Sequence, residues 1–145
     1  MPKKICAVCK RVYKGKQCEC RKEARKKQQK IYDIYTRDKI NEAFYNSREW
    51  KEKRKKVVFI YDGIDIYEYY TSGKVVKADC THHIHTLRER WEMRLEEKNL
   101  IPVSDKNHKF IHTVYKKGKE EREKLQKELE CMLIRYREEN NLVWK

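Results

Sequence analysis

The sequence of 145 residues has no long apolar run and little glycine or proline, with four and two of these residues respectively. No segment approaches the roughly 20 consecutive apolar residues that a membrane-spanning helix needs. The first residues also lack the apolar stretch of a signal peptide. Apolar residues make up 39% of the chain and charged residues 41%, against roughly 25% charged in an average globular protein. The composition therefore excludes a membrane protein and a large hydrophobic core, and it predicts a soluble, cytoplasmic protein.

The positive charge is unevenly distributed along the chain. The formal net charge is +14. Residues 1–56 hold 20 Lys and Arg against 7 Asp and Glu, so that this third of the chain carries +13, and the remainder is nearly neutral. Such asymmetry favours attraction to a polyanion, of which nucleic acid is the commonest. A solvated basic helix would give the same pattern, and charge alone does not separate the two.

Four of the six cysteines crowd into the first 20 residues. They form a Cys-x-x-Cys pair followed eight residues later by Cys-x-Cys, a spacing that indicates a tetrahedral zinc site. A segment this short and polar needs the metal to fold, and four cysteines leave no open position for catalytic water. We therefore predict a structural zinc knuckle over residues 1–22, the alternative being a reduced, disordered tail. The predicted ligands are Cys6, Cys9, Cys18 and Cys20.

Residues 23–56 are predicted to form a basic helical arm, because they contain no Gly or Pro and many Lys, Arg, Glu and Gln. Ile31, Ile34, Tyr35 and Asp38 share one helical face and give a thin apolar stripe. In a second helical piece over 41–56, the aromatic residues are expected to be packing anchors. The cations around them are candidate contacts to DNA phosphates. These are Arg48, Lys51, Lys53, Arg54, Lys55 and Lys56.

The remaining sequence predicts strands followed by helices. The β-branched and aromatic run at 57–61, a turn at 62–63 and a short strand at 74–78 indicate a β-hairpin region reaching His82. A polar loop with some helix follows over 87–98, then a strand over 99–103. Ser104 is a predicted helix cap, and Gly118 is predicted to end that helix. Apolar residues at intervals of three and four predict a C-terminal helix within 117–145.

All five histidines lie between positions 82 and 112. His108 and His112 are four residues apart, so on a helix both imidazoles face the same way, as a metal site requires. His82 and His83 are adjacent, and neighbouring strand residues point to opposite sides. One of that pair can therefore bind the same ion while the other faces a substrate. A purely structural zinc site is the alternative, and it leaves the fourth histidine unexplained.

This pattern resembles the HNH endonuclease family, and in particular small phage-encoded members. The resemblance covers roughly residues 40–115. The matching positions are Ala78-Asp-Cys-Thr-His-His-Ile84, Asn99-Leu100, Asn107-His108 and His112. It implies an α+β protein whose ββα-metal core spans residues 57–116, preceded by the zinc knuckle and the basic arm and followed by the C-terminal helix at 117–145.

The resemblance also implies roles for individual residues. His82, His108 and His112 would be metal ligands, His83 the general base, and Asn99 a constraint on the loop that orients the base. The cofactors would be one catalytic divalent ion (Mg, Mn, Ni or Zn) and one structural zinc. A neutral imidazole can take the proton of the attacking water, and one divalent ion can stabilise both the charge on phosphorus and the departing oxygen.

The sequence therefore predicts a metal-dependent endonuclease that hydrolyses DNA, encoded by a phage or prophage and acting in the bacterial cytoplasm. Phage packaging proteins are candidate partners, and the oligomeric state stays open. The alternative is a non-catalytic, zinc-stabilised nucleic-acid-binding module, and a third option is an RNA-cleaving relative. His85 is expected to be structural or solvent-exposed. Members of the family often carry zinc-binding cysteines at the positions that Ser104 and Asn107 occupy here, so no second structural zinc is expected.

Overall fold

A computed structural model describes residues 1–144 and shows an α+β protein with two short antiparallel sheets and five α-helices. The chain divides into two units, Met1–Phe44 and Tyr45–Lys145, with the boundary near the end of the first helix. No helix in the described part of the chain is both long and apolar enough to cross a membrane.

The N-terminal unit holds a small hairpin and most of a long helix. Strand β1 (Lys3–Ile5) pairs antiparallel with β2 (Val12–Lys14), and helix α1 runs over Glu19–Asn46. Gly15, just after β2, has a φ of 103°, a conformation that side chains disfavour. The predicted helix is confirmed, because a run of good helix formers without Gly or Pro has no competing local structure.

Helix α2 (Arg48–Ile60) corrects the prediction of a strand at 57–61. Ser47 separates it from α1 and caps it, its side chain accepting a hydrogen bond from the Trp50 backbone N–H at 3.2 Å. Trp50 and Val57 are buried seven residues apart on one face of α2. Burial of that face overrides the strand preference of the β-branched residues. The helix gives way at Asp62 and Gly63, which both have positive φ.

The predicted β-hairpin between 57 and 82 is also wrong. The segment contains helix α3 (Ile66–Ser72), and of the predicted strand at 74–78 only an isolated bridge between Ile64 and Lys77 forms. Asp65 caps α3 by accepting a hydrogen bond from the Glu68 backbone N–H at 2.8 Å. The pattern Asp-x-x-Glu at 65–68 is a helix-start signal that the aromatic residues obscured.

Two strands and a helix follow in the predicted order. Strand β3 (Cys80–His83) pairs antiparallel with β4 (Leu100–Val103), and helix α4 (Asp105–Lys117) comes next. The Ser104 side chain caps α4, accepting from the Asn107 backbone N–H at 3.3 Å, and Gly118 ends it, as expected. The polar segment between the strands forms two short 3₁₀ helices, Trp91–Met93 and Glu97–Asn99.

The C-terminal helix α5 (Lys119–Glu139) confirms the prediction made from apolar spacing. Its buried residues Leu125, Leu129, Leu133 and Tyr136 lie three or four positions apart and complete the core of the second unit. Cys131 on this helix is exposed.

Candidate metal and catalytic site

The structure brings together His82 from β3 and His108 and His112 from α4. One ring nitrogen from each lies within 4.8 Å of the other two, and the Nε2 atoms of His108 and His112 are 3.0 Å apart. Helical spacing places the latter two on one face of α4, and β3 presents His82 to that face. The predicted ligand set therefore converges on one point.

The chemistry of these three side chains fits a divalent ion. His82 Nε2 is buried and has no hydrogen-bond partner within residues 1–144, an arrangement that costs free energy unless a further group is bound. Burial lowers the pKa of His82 well below its usual value, and it also lowers the pKa of His108 and His112. Neutral imidazoles are the form that coordinates metals such as zinc, nickel and manganese.

His83 follows His82 on β3 and points elsewhere. Its Nε2 lies 2.9 Å from the backbone oxygen of Arg94. Because a carbonyl only accepts hydrogen bonds, Nε2 carries the ring hydrogen in the neutral form and Nδ1 is the basic nitrogen. The ring stacks on Trp50, with 4.7 Å between centroids. Burial lowers the pKa of His83, and the bond to the Arg94 carbonyl raises it in part.

Asn99 is fully buried and ties the two ends of the loop between β3 and β4. Its Oδ1 accepts from the His85 backbone N–H at 2.6 Å, while its Nδ2 donates to the backbone oxygens of His85 and Met93 at 3.0 and 3.3 Å. The Met93 carbonyl precedes Arg94, whose carbonyl contacts His83. Asn99 therefore holds the backbone that fixes the orientation of the His83 ring.

A buried carboxylate that the sequence did not reveal supports α4. Asp65 Oδ2 accepts from the Ser104 backbone N–H at 2.8 Å and from Asn107 Nδ2 at 2.7 Å. Asn107 Nδ2 also donates to Glu68 at 2.8 Å, and this bond is the main reason that the pKa of Glu68 is lowered. Asp65, at the start of α3, therefore fixes the first turn of the helix that carries His108 and His112.

The predicted DNA-contact residues on α2 divide into three groups. Lys53 and Lys56 lie 3.4 and 3.1 Å from a carboxylate oxygen of Glu97, which is buried and also paired with Arg137 at 3.1 Å. Sequence spacing gave no signal for this ion-pair network. Arg48 pairs with Glu52 at 2.8 Å on the helix surface. The other cations lie exposed and are Lys51, Arg54 and Lys55.

His85 stands apart from the three-histidine cluster. Its Nε2 lies 2.6 Å from a carboxylate oxygen of Glu130 on α5. The side chain is 23% exposed, so it links the loop to the C-terminal helix at the protein surface. This contact agrees with the structural role expected for it.

The four N-terminal cysteines also converge, with one sulfur from each within 4.8 Å of the others. Cys6 Sγ is 3.5 Å from Cys20 Sγ, and Cys9 Sγ is 3.6 Å from Cys18 Sγ. Backbone N–H groups of Cys9 and Val8 lower the pKa of Cys6 to about 6, whereas the neighbouring thiol of Cys9 raises the pKa of Cys20 to about 12. Four thiols this close resist ionising together without a cation, so the set fits a metal such as zinc.

Comparison with known proteins identifies a solved structure of the same kind. The chain is similar to the crystal structure of the HNH endonuclease of the deep-sea thermophilic bacteriophage GVE2, which contains a manganese ion. The sequences are 28% identical, the TM-score is 0.56, and the match covers 61% of this chain and 95% of the phage enzyme. No family model and no curated protein matches the sequence. The chain therefore has an HNH-like nuclease fold.

Proposed function

We propose that this chain is a metal-dependent HNH endonuclease that hydrolyses DNA phosphodiester bonds. The observation that carries the proposal concerns two adjacent residues of β3. His82 completes a three-imidazole cluster with two histidines of α4, and His83 is oriented by a backbone carbonyl. The similarity to a phage endonuclease that contains manganese supports it. The same similarity supports a phage or prophage origin, with DNA in the bacterial cytoplasm as the substrate.

The proposed mechanism assigns one task to each side chain. His82, His108 and His112 would hold a divalent ion, which when bound would supply positive charge to offset the negative charge that develops during hydrolysis. His83 Nδ1 removes the proton of the attacking water. The Arg94 carbonyl accepts from Nε2–H, so it keeps the ring in the required tautomer and stabilises the imidazolium that forms. Asn99 holds this backbone in place.

DNA binding is assigned to exposed cations in both units. In the second unit these are Lys51, Arg54 and Lys55, because Lys53 and Lys56 are engaged with Glu97. In the N-terminal unit, α1 and the hairpin carry most of the basic residues of the chain's first third. Contacts from these side chains to phosphates position the duplex and carry little sequence information.

A structural zinc is assigned to Cys6, Cys9, Cys18 and Cys20. Only Cys6 and Cys18 are buried in the first 18 residues, so the hairpin has almost no apolar core of its own. A bound metal would supply the free energy of folding that this segment lacks.

A plasmid-cleavage assay of the purified protein tests the proposal. Conversion of supercoiled DNA to nicked or linear forms is expected with Mn²⁺, Ni²⁺ or Mg²⁺, and it should stop when EDTA is added. His83→Ala should lose cleavage while it still binds DNA. If the wild-type protein binds DNA and metal but never cleaves, the non-catalytic nucleic-acid-binding module is the correct function. Preferential cleavage of a competing RNA would identify an RNA-cleaving enzyme instead.

A further inference from the structure

Helix α1 carries large apolar side chains that lie open to solvent. Every residue from 21 to 40 is exposed, including Ile31, Ile34 and Tyr35, with exposed fractions of 60, 44 and 58%. Exposed apolar residues are common singly, but a cluster of them on one helix face marks a surface that another molecule covers. The proposed nuclease chemistry makes no use of this cluster.

The spacing of this face matches a helix-pairing seam. Lys27, Ile31, Ile34 and Asp38 follow one another at intervals of four, three and four residues, which is the spacing of the inward positions of a coiled coil. The two isoleucines lie at the middle of α1, which runs from Glu19 to Asn46. The four positions are therefore placed symmetrically about the centre of α1, with Lys27 toward its N-terminus and Asp38 toward its C-terminus.

The distribution of charge along α1 favours a second copy of α1 as the partner, in the antiparallel orientation. Residues 19–30 hold six basic and two acidic side chains, whereas residues 31–46 hold two basic and three acidic ones. Two parallel copies would place Lys27 against Lys27 and the two basic halves side by side. Two antiparallel copies place each basic half beside the weakly acidic half of the other helix. A second copy of α1 is thus complementary to the first.

We propose that two copies of this chain associate through α1 as an antiparallel helix pair. Ile31 of each copy packs against Ile34 of the other, and Lys27 of each copy lies opposite Asp38 of the other. A DNA duplex fits this face less well, because its centre is apolar and one end is acidic. The proposal is independent of the nuclease activity.

Sedimentation of the full-length protein over a range of concentrations tests the pair. The wild type is expected to be dimeric at micromolar concentration. Ile31→Ala with Ile34→Ala should raise the dissociation constant at least about tenfold, since four apolar side chains leave the seam. Alanine favours helix, so the loss would not reflect unfolding of α1. Ile40→Ala is the matched control, because Ile40 lies on the opposite face of α1, and it should leave the dissociation constant unchanged.

Charge exchange tests the antiparallel register. Lys27→Glu and Asp38→Lys should each weaken the homodimer, because each places like charges opposite one another twice. An equal mixture of the two variants should recover a dimer, which native mass spectrometry would identify as the heterodimer. A monomeric wild type, or a dimer unaffected by either set of substitutions, would overturn the proposal. The proposal would also be overturned if the wild type is monomeric and the Ile31→Ala, Ile34→Ala variant binds DNA more weakly, because this face of α1 would then bind DNA.

Discussion

The cysteine cluster and the histidine cluster gather their ligands in opposite ways. Cys6 and Cys9 lie between the three-residue strands β1 and β2, and Cys18 and Cys20 lie around the start of α1, where the flanking side chains are mostly exposed. The histidines come from a strand and a helix whose neighbours Ile84, Ile101 and Ile111 are fully buried. We therefore expect the first cluster to need a bound metal for local folding, whereas buried apolar residues hold together the elements that carry the second.

Hydrogen bonds explain how the histidine cluster is held once the core has formed. Asp65 fixes the start of α4 through Ser104 and Asn107, and Asn99 fixes the loop that faces His83. These partners are buried, so each bond is protected from exchange with water. The two clusters should consequently respond differently when a ligand, a supporting residue or a surface charge is changed.

The largest effect is expected at a histidine of the cluster. His112→Ala should reduce metal binding and DNA cleavage to background, because two imidazoles hold a divalent ion far less tightly than three. Calorimetric titration with Mn²⁺ or Ni²⁺ and the plasmid assay measure the two losses. His85→Ala is the matched histidine control, and it should retain both properties. Cleavage that survives His112→Ala and EDTA would rule out the metal mechanism.

Substitution of His83, the proposed general base, should separate catalysis from binding. His83→Ala is expected to slow cleavage by roughly 10²–10⁴-fold, with metal and DNA affinity nearly unchanged. Because burial lowers the pKa of His83, the wild type should stay active below pH 6.5, the usual value for histidine, and lose activity only as the ring is protonated at lower pH. Rates measured against pH should place the acidic limb of the wild type below pH 6.5, where protonation of the three clustered imidazoles also contributes. Full activity of the variant would remove His83 from the mechanism.

Removal of the buried carboxylate should weaken the metal site through α4. The two carboxylate oxygens of Asp65 accept three hydrogen bonds, from the backbone N–H groups of Glu68 and Ser104 and from Asn107 Nδ2. Asp65→Asn keeps one side-chain oxygen, so at least one of these donors would face the amide NH₂ group. Metal affinity is expected to fall by roughly 10–100-fold, the usual effect of a residue that supports a ligand. Calorimetry gives the affinity, and thermal unfolding gives the stability.

Glu68→Gln is the control for this experiment. The glutamine side chain of that variant can still accept from Asn107 through its oxygen and donate to Ser72 through its amide, so its effect should be smaller. A lower melting temperature with unchanged metal affinity in Asp65→Asn would mean that Asp65 stabilises the fold and does not position the ligands.

Local patterns predicted much of this architecture. The four-residue separation of His108 and His112, the Ser104 cap and the spacing of the α5 leucines are all signals within one or two helical turns. The strand predicted at 57–61 failed because burial of one face of α2 decides its structure, and a short apolar run fits either a strand or a buried helix.

Local sequence patterns did not predict the contacts that support the histidine cluster and helix α2. Asp65 and Asn107 are 42 residues apart, and Glu97 and Arg137 are 40 apart. Which distant polar residues meet depends on how the helices pack, and no local spacing encodes it. Two lysines predicted to contact DNA proved to be paired with Glu97 for this reason.

Loss of the cysteine ligands should affect the N-terminal unit alone. Cys6→Ser with Cys9→Ser is expected to remove one equivalent of zinc and to unfold the hairpin, while the metal at the histidines remains. Elemental analysis and amide exchange over residues 1–18 would report the two changes, and His112→Ala serves as the reciprocal control. Parallel loss of metal from both clusters would contradict the division made between them.

The smallest effect is expected from the surface cations, and it tests whether each unit contributes to the proposed DNA binding. Each phosphate contact that is removed should reduce the slope of log affinity against log salt concentration by about 1. Glutamine substitutions at three residues of one unit should therefore flatten the slope by about 3. Lys124→Gln with Lys127→Gln on α5 is the control, and it should leave the slope unchanged. Fluorescence anisotropy with a labelled duplex measures these slopes. If the substitutions in one unit leave the slope unchanged, the DNA contacts belong to the other unit. The two sets are Arg25, Lys26 and Lys30 on α1, and Lys51, Arg54 and Lys55 on α2.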